Sequence, residues 1–461
     1  MSCEAYLNVY LWSNLKVQKV KSIIVIGAGR SCSSLIRYLL ENSEKENWKI
    51  VIADRDLEIA KLKVDGHPNG RAVAFDANDQ NDRRELITGA ALVVSMLPAS
   101  MHFEVAKDCL DLGIHVITPS YATKEMNALH EQVKAKGLIF LNEMGVDPGI
   151  DHMSAMKLIH HIQDKGGVLS RFESFTGGLV APESDDNPWN YKFTWNPRNV
   201  VLAGQGGTAR FQQDHRLKYI APYNVFDRVK PIEIEGHGKF DGYANRDSLS
   251  YKKVYGIEDI PTIYRGTLRK EGFCEAWNVF VKLGMTTEDF TIPDAKEMTY
   301  RQFTNSFLTY DPEKTVEDKI QISLDLSDEV MSKLAWLGLF EDEPIGLSNA
   351  TPAAILQKLL EGKWSLKEND KDMIVMWHRF NYSLKGEEHE LHSSMVSIGE
   401  DQTYTAMSNT VGLPVAIAVK MVLNRKINLT GVLMPIVPEI YNPILEELAT
   451  YGIEFHENEV D

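Results

Sequence analysis

The chain has 461 residues, more than one ordinary hydrophobic core accommodates, so two or three domains are expected. Its 44% apolar and 25% charged residues are a globular composition, and a formal net charge of -16 argues against a nucleic-acid partner, which needs clustered Lys and Arg. Four scattered cysteines (Cys3, Cys32, Cys109, Cys274) form no CxxC pair, which fits a reducing cytoplasm and leaves no metal site expected.

No apolar run approaches the roughly 20 residues that span a bilayer, so no membrane partner is expected. Met1 to Val20 carries an aromatic and apolar patch, Tyr6 to Trp12, without a basic n-region or a small-residue cleavage site, and reads as an extra arm. A βα rhythm follows. Lys21 to Gly27 is apolar after its first two residues, the pattern of a strand in a parallel sheet covered on both faces. It runs into Gly27, Ala28, Gly29, Arg30, Ser31 and Cys32, then an amphipathic helix from Ser33 to Leu40, then a strand ending at Asp54. Strand, glycine turn, helix and an acid about 20 residues on make the Rossmann dinucleotide fingerprint. The glycines let the backbone approach a pyrophosphate, and the helix N-terminus supplies N–H donors. Cys32 stands where the third glycine is usual.

Asp54 suits a ribose 2′-hydroxyl and repels a 2′-phosphate, which favours NAD, whereas the neighbouring Arg55 could pair with that phosphate and leaves NADP open. Arg71 to Phe75 reads as the next strand, with Asp76 and Ala77 at its end. Leu92 to Pro98 and His115 to Tyr121 follow as strands, with a helix carrying Cys109 and Leu112 between them. A helix through Lys134 leads to a sixth strand, Leu138 to Leu141. Ser95, Leu97, Ser120 and Tyr121 lie at strand carboxyl ends, where ligands of open parallel sheets bind.

The sixth strand turns abruptly into NEMGVDPGIDHM, in which Asp147 and Asp151 flank Pro148 and Gly149, and a helix is expected from about His152. Phe172 to Trp195 reads as a long irregular stretch, rich in Gly, Pro, Asp and aromatics. Pro231 to Phe240 and Thr262 to Arg269 suggest a mixed or antiparallel sheet, and the region carries Arg198, Arg246, Arg265 and Arg269, the residue type that pairs with carboxylates. Arg301 to Trp364 reads as helical, with Trp336 to Phe340 as an apolar anchor. Asp372 to Leu384 and the segment after it read as a hairpin, whose His389 and His392 lack zinc-protease spacing and are expected to be solvated. Thr405 to Leu423 is apolar enough for a buried helix, with Pro414 at or near its start.

NEMGVDPGIDHM resembles the NE-x-G-x-DPGIDH segment of the glutamate-forming saccharopine dehydrogenases, also called saccharopine reductases. Gly177 to Arg198, Tyr243 to Ser248, Tyr264 to Phe273 and Ala335 to Phe340 are similar to further segments of that family, so the likeness runs from about Lys21 to the C-terminus. The resemblance implies an α/β architecture. It has a Rossmann domain, here residues 21–145, and a mixed α/β domain that binds saccharopine and forms a homodimer, here 146–300 with 365–404. It also has a small helical subdomain, here 301–364; the apolar helix from Thr405 adds the expectation that residues 405–461 pack back onto the first domain.

The implied reaction interconverts saccharopine, NAD(P)+ and water with glutamate, 2-aminoadipate 6-semialdehyde and NAD(P)H. By matching motif position, saccharopine contacts fall on Ser120, Tyr121, Arg246, Thr267, Leu268 and Arg269. Cofactor contacts fall on Gly27, Gly29, Arg30, Ser31, Cys32, Asp54, Arg55, Asp76, Ala77, Leu97, Ser120, Val146, Asp147, Pro148 and Asn196. NADP-using members tend to lack an acid at the position of Asp54, and a family cysteine before the GGL segment is Thr176 here. The chemistry needs a proton donor and acceptor; Asp147 and Tyr121 are the candidates, with bound water as the alternative. Lysine 6-dehydrogenase and carboxynorspermidine dehydrogenase are competing enzyme readings with the same fold, and a non-catalytic NAD-binding or redox-sensing protein that kept the fold and lost turnover is a reading from a different class.

Overall fold

The computed structural model describes residues 20–460, so the arm over Met1 to Val20 lies, except for its last residue, outside the described residues. The chain divides into two compact units, Met1–Gly145 with Val411–Met434, and Val146–Thr410 with Pro435–Asp461.

The first unit is built on β1 (Lys21–Ile26), β2 (Trp48–Asp54), β3 (Gly70–Ala74), β4 (Leu92–Ser95), β5 (His115–Ile117) and β6 (Ile139–Leu141). All pair in parallel, and Ile23 to Ile26 at the sheet centre are at most 2% exposed, as strands covered on both faces must be. The sheet has a seventh strand that the βα count missed. Gly431–Leu433 pairs in parallel with β6, giving the order 431–433, β6, β5, β4, β1, β2, β3. The order reverses between β1 and β4, the switch point beside which such sheets bind their ligands.

Two expected strands are shorter than read. β4 ends at Ser95, and β5 ends at Ile117, where Thr118 and Ser120 bond to the segment after β6 instead: Met144 N–H donates to Thr118 O (3.2 Å) and Glu143 N–H to Ser120 O (3.0 Å). The helix expected through Lys134 is two, Lys124–Ala128 and His130–Ala135. Pro414 does not start its helix either. Ala406–Leu423 begins where the Asp372 carboxylate accepts from Ala406 N (2.5 Å) and Met407 N (2.9 Å), and Pro414 lies in the interior. By length and composition alone this helix could cross a membrane, but 78% of it is buried within the protein. Its Gly412 presses on the helix Ser33–Glu46, where a Cβ would stand 2.7 Å from Leu35 N.

The second unit carries a nine-stranded mixed sheet. Its strands are β7 (Val168–Val180), β8 (Ala209–Gln213), β9 (Arg216–Ile220), β10 (Lys230–Ile234), β11 (Gly238–Ala244), β12 (Thr262–Lys270), β13 (Asp372–Leu384), β14 (Glu387–Ile398) and a last strand, His456–Val460. The expectation of an irregular stretch from Phe172 is overturned in its first half. β7 is a 13-residue central strand, parallel to β12 and antiparallel to β13. Its glycines hid it: a Cβ at Gly177 would stand 2.7 Å from Leu268 O, so the close approach of β12 needs a residue that sequence patterns score as a breaker. Only the part after Val180 is irregular, and there the buried Lys192 holds Asp186 (2.8 Å) and Asp370 (2.7 Å).

Helices Tyr300–Ser306, Val316–Leu324, Asp328–Leu337 and Pro352–Trp364 are N-capped by Thr299, Thr315, Ser327 and Thr351. Leu337, Leu339 and Phe340 join one continuous core with the sheet residues Phe175 and Leu268. The C-terminal segment does not return whole to the first unit. Only Val411–Met434 belongs there; Pro438–Ala449 packs on Ile150–Asp164 through His160 Nδ1 and the Tyr441 hydroxyl (2.8 Å), and His456–Val460 pairs with β14. His389 and His392 are half-buried rather than solvated, stacked on Tyr382 and edge-on to Trp377, because their hairpin lies within the sheet.

Candidate active-site residues in the two units

In the first unit, the turn after β1 is shaped for close backbone approach. Gly27 has φ +100° and no room for a side chain, since a Cβ would stand 2.8 Å from Met96 O. A Cβ at Gly29 would meet nothing within 4 Å, so open space lies where the fingerprint needs a pyrophosphate. Residues Arg30–Cys32 make a tight turn into the helix Ser33–Glu46, whose first N–H groups lack intrahelical partners by construction. This cradle fits a dinucleotide phosphate. Cys32 contributes no side chain to it: the thiol is 2% exposed, and burial pushes its pKa up to about 12.

Both oxygens of Asp54 are bonded to backbone, Oδ2 to Ala28 N (2.7 Å) and Oδ1 to Asp56 N (2.9 Å). Arg55 is 78% exposed, and its guanidinium is 3.9 Å from the Asp76 carboxylate. Asp76 is held below the usual carboxylate range, first by the Asn78 backbone N–H. The Ala77 carbonyl accepts from Arg83 (2.8 Å), and Leu97 packs on the first unit's core.

Ser120 is half-buried and Tyr121 is 48% exposed, both in the loop after β5. Two residues that sequence reading passed over hold this loop. Glu143, at positive φ (60°), accepts from Ala122 N (3.0 Å) through its carboxylate. His102 lies between Ser95 Oγ (2.8 Å from Nδ1) and Ser120 Oγ (2.7 Å from Nε2). Its pKa falls to about 4 because burial disfavours the cation. No spacing rule singles out His102, since its partners come from β4 and from the loop after β5.

In the second unit, β12 projects Arg265, Thr267 and Arg269 to one face by strand alternation. One guanidinium nitrogen of Arg265 bonds Asp147 Oδ1 (2.8 Å) and Asp151 Oδ2 (2.5 Å), and the group stacks over Tyr251 at 3.9 Å. Asp151 also accepts from Gly149 N (2.6 Å), which fixes the Asp147–Gly149 turn at the start of the helix Ile150–Asp164. The two carboxylates differ. Burial and the neighbouring Asp151 push the Asp147 carboxyl upward despite Arg265, whereas at Asp151 burial is outweighed by His152 and Arg265, and its pKa falls. Asp147 keeps 16% of its side chain exposed and Asp151 only 1%, so Asp147 is the member that solvent or ligand can reach. Val146 is buried and bridges to Gly149.

Arg269 is 4% exposed and bonds the Leu268 carbonyl (2.9 Å), while its Nε has no partner. No carboxylate pairs with it among the described residues; Tyr191, Phe273 and Tyr243 surround it at 5.2, 5.6 and 5.9 Å. Burial opposes its charge, and the tyrosines beside it hold its pKa above the ordinary value. Leu268 is fully buried and Thr267 partly open. Arg246 is exposed beside Gly206, where a Cβ would stand 2.8 Å from its Nε. Asn196 spends its side chain on capping the helix Pro197–Val201, and Arg198 pairs with Glu288.

Comparison with known proteins agrees with both halves. Residues 23–141 match the saccharopine dehydrogenase NADP binding domain, and residues 145–453 the saccharopine dehydrogenase C-terminal domain. The chain is 33% identical over 451 residues to a saccharopine dehydrogenase [NADP(+), L-glutamate-forming] of Schizosaccharomyces pombe, covering 95% of this chain and 99% of that one. It is 31% identical to the mitochondrial alpha-aminoadipic semialdehyde synthase of Rattus norvegicus, covering 96% of this chain but 48% of that longer protein. The apo saccharopine dehydrogenase (L-Glu forming) of Saccharomyces cerevisiae superposes with a TM-score of 0.86 at 32% identity, covering 96% of this chain and 100% of that one. The chain belongs to the saccharopine dehydrogenase family.

Proposed function

We propose that this protein is an L-glutamate-forming saccharopine dehydrogenase, interconverting saccharopine, NAD(P)+ and water with L-glutamate, 2-aminoadipate 6-semialdehyde and NAD(P)H. The observation that carries the reading is Arg269, a buried guanidinium with no carboxylate partner among the described residues of a chain of this family. A buried cation without an anion is costly, and a substrate carboxylate is the group that completes it. Thr267 and Arg246 are proposed to add polar contacts to the same three-carboxylate substrate. A bound nicotinamide would supply the hydride acceptor for the substrate C–H. Asp147 is proposed to hold and move the proton of the secondary amine, since it is the member of the pair that a ligand can reach and burial raises its pKa from the ordinary carboxylate value. Arg265 and Asp151 hold that carboxyl in place, and Tyr121 is the second proton-handling candidate.

For the choice of dinucleotide, two considerations pull apart. Asp54 suits NAD, but both its oxygens already accept from backbone, and the exposed Arg55 is a cation available to a 2′-phosphate. With relatives named for NADP(+), we take NADP as the cofactor and Arg55 as the phosphate partner. A homodimer is proposed from the family resemblance, with light scattering as its test.

The deciding experiment follows nicotinamide absorbance on adding saccharopine, run separately with NADP and NAD, for wild type and Arg269→Gln. Turnover with saccharopine, weakened in the variant, is the expected result. Turnover only with lysine or carboxynorspermidine would transfer the chain to another amine, and cofactor binding without turnover on any amine would leave a non-catalytic protein.

A further inference from the structure

His102 begins the helix His102–Leu112, and its ring sits among hydroxyls from the ends of β4 and β5. Nδ1 is 2.8 Å from Ser95 Oγ and 3.4 Å from Thr118 Oγ1; Nε2 is 2.7 Å from Ser120 Oγ. A neutral imidazole donates from one nitrogen and accepts at the other, so two arrangements compete. With the proton on Nδ1, Ser95 Oγ would accept it, and the proton of that fully buried hydroxyl would face no acceptor among the described residues. An unpaired buried hydroxyl costs about 1–3 kcal/mol. With the proton on Nε2, Ser95 donates to Nδ1, Thr118 approaches the same nitrogen, and Nε2–H donates to Ser120 Oγ. The fully buried Ser95 hydroxyl is then paired, and the proton left without an acceptor is that of the half-buried Ser120 hydroxyl. The ring stays neutral as well, since the positive end of a helix dipole disfavours a cation at its first residue.

We infer that His102, as the Nε2–H tautomer, positions Ser120 so that the serine proton is not spent on the ring and is held for an acceptor on the ligand. Ser120 then selects a carboxylate or amide oxygen at that place and disfavours an amine or hydroxyl donor. His102 touches neither substrate nor cofactor; it acts through Ser120. This rests on the proposed saccharopine dehydrogenase function and on the ligand contact at Ser120 that the family resemblance implies.

The test uses H102N, H102Q, S120A and the H102N/S120A double variant in the full chain. A glutamine amide reaches the place of Nε2–H, whereas an asparagine amide reaches only that of Nδ1. H102N is expected to raise KM for saccharopine or NADP about 10-fold, as S120A does, with a smaller change in kcat. The double variant should be no worse than S120A, and H102Q should recover most of the loss. Two-bond proton–nitrogen spectra of histidine-labelled protein should show Nε2–H for the resonance that H102Q removes. An Nδ1–H pattern, effects of H102N and S120A that multiply, or a folded H102Q no better than H102N would overturn the inference. Wild-type KM values in S120A for both ligands would instead overturn the ligand contact of Ser120, and the spectrum would still decide the tautomer.

Discussion

Arg265 and Arg269 project from the same face of one strand, yet among the described residues Arg265 holds two carboxylates and Arg269 holds none. Their substitution should therefore fail in opposite ways. Arg265→Met removes the cation that Asp147 and Asp151 share and should destabilise the fold by about 3–5 kcal/mol, read by urea denaturation. Arg269→Met removes an uncompensated buried cation and should leave the unfolding midpoint unchanged or higher, while KM for saccharopine rises about 10²-fold. Equal stability losses in the two variants would mean that Arg269 has a structural partner instead of a substrate carboxylate.

Asp147→Asn keeps the size of the side chain and removes its proton chemistry. Turnover should fall about 10²–10⁴-fold with saccharopine binding largely kept. Asp151→Asn, at the start of the helix Ile150–Asp164 and only 1% exposed, should act on the position of Asp147 and on stability. Asp147→Asn turnover within a few-fold of wild type at every pH would hand the proton to water.

Acid stability follows from buried histidines. His102 and His378 have folded pKa values of about 4, lowered first by burial from the ordinary 6.5. The unfolded chain therefore takes up their protons first, and stability is lost as pH falls from about 6.5 to about 4, roughly 3 kcal/mol for each ring. Asp372 acts in the other direction. Burial raises it to about 6, so the folded state protonates first, and its cost at neutral pH is relieved as pH falls through that value. Two losses outweigh one gain, and denaturation midpoints should drop across this window. His378→Gln should flatten the drop; an unchanged slope would mean that the ring is already charged at neutral pH.

Cofactor choice is read at two positions. Arg55→Ala should raise KM for NADP about 10-fold and leave KM for NAD nearly unchanged, as expected for loss of one exposed charge-assisted bond. Gly27→Ala should weaken both dinucleotides and lower the unfolding midpoint, because a Cβ there meets Met96 O at 2.8 Å. Discrimination unaffected by Arg55→Ala would return the choice to Asp54.

What the sequence determined by itself was local. β1, the Gly27–Cys32 turn and β2 are contiguous, and their function depends on backbone geometry that glycines and an apolar run announce. The same holds for the Asp147–Asp151 turn, whose Pro148 and Gly149 mark it. Tertiary structure decided whatever depends on residues brought together from afar. Gly431–Leu433 completes a sheet whose other strands end at Leu141, and a three-residue strand has too little periodicity to be read alone. β7 was hidden because burial between two neighbouring strands permits glycines and polar residues that alternation rules penalise. Above all, charge pairing is non-local. Nothing in the spacing of Arg265 and Arg269 distinguishes them; the turn and helix start that bring Asp147 and Asp151 to one and the aromatic wall that surrounds the other make one a structural cation and leave the other without a carboxylate among the described residues.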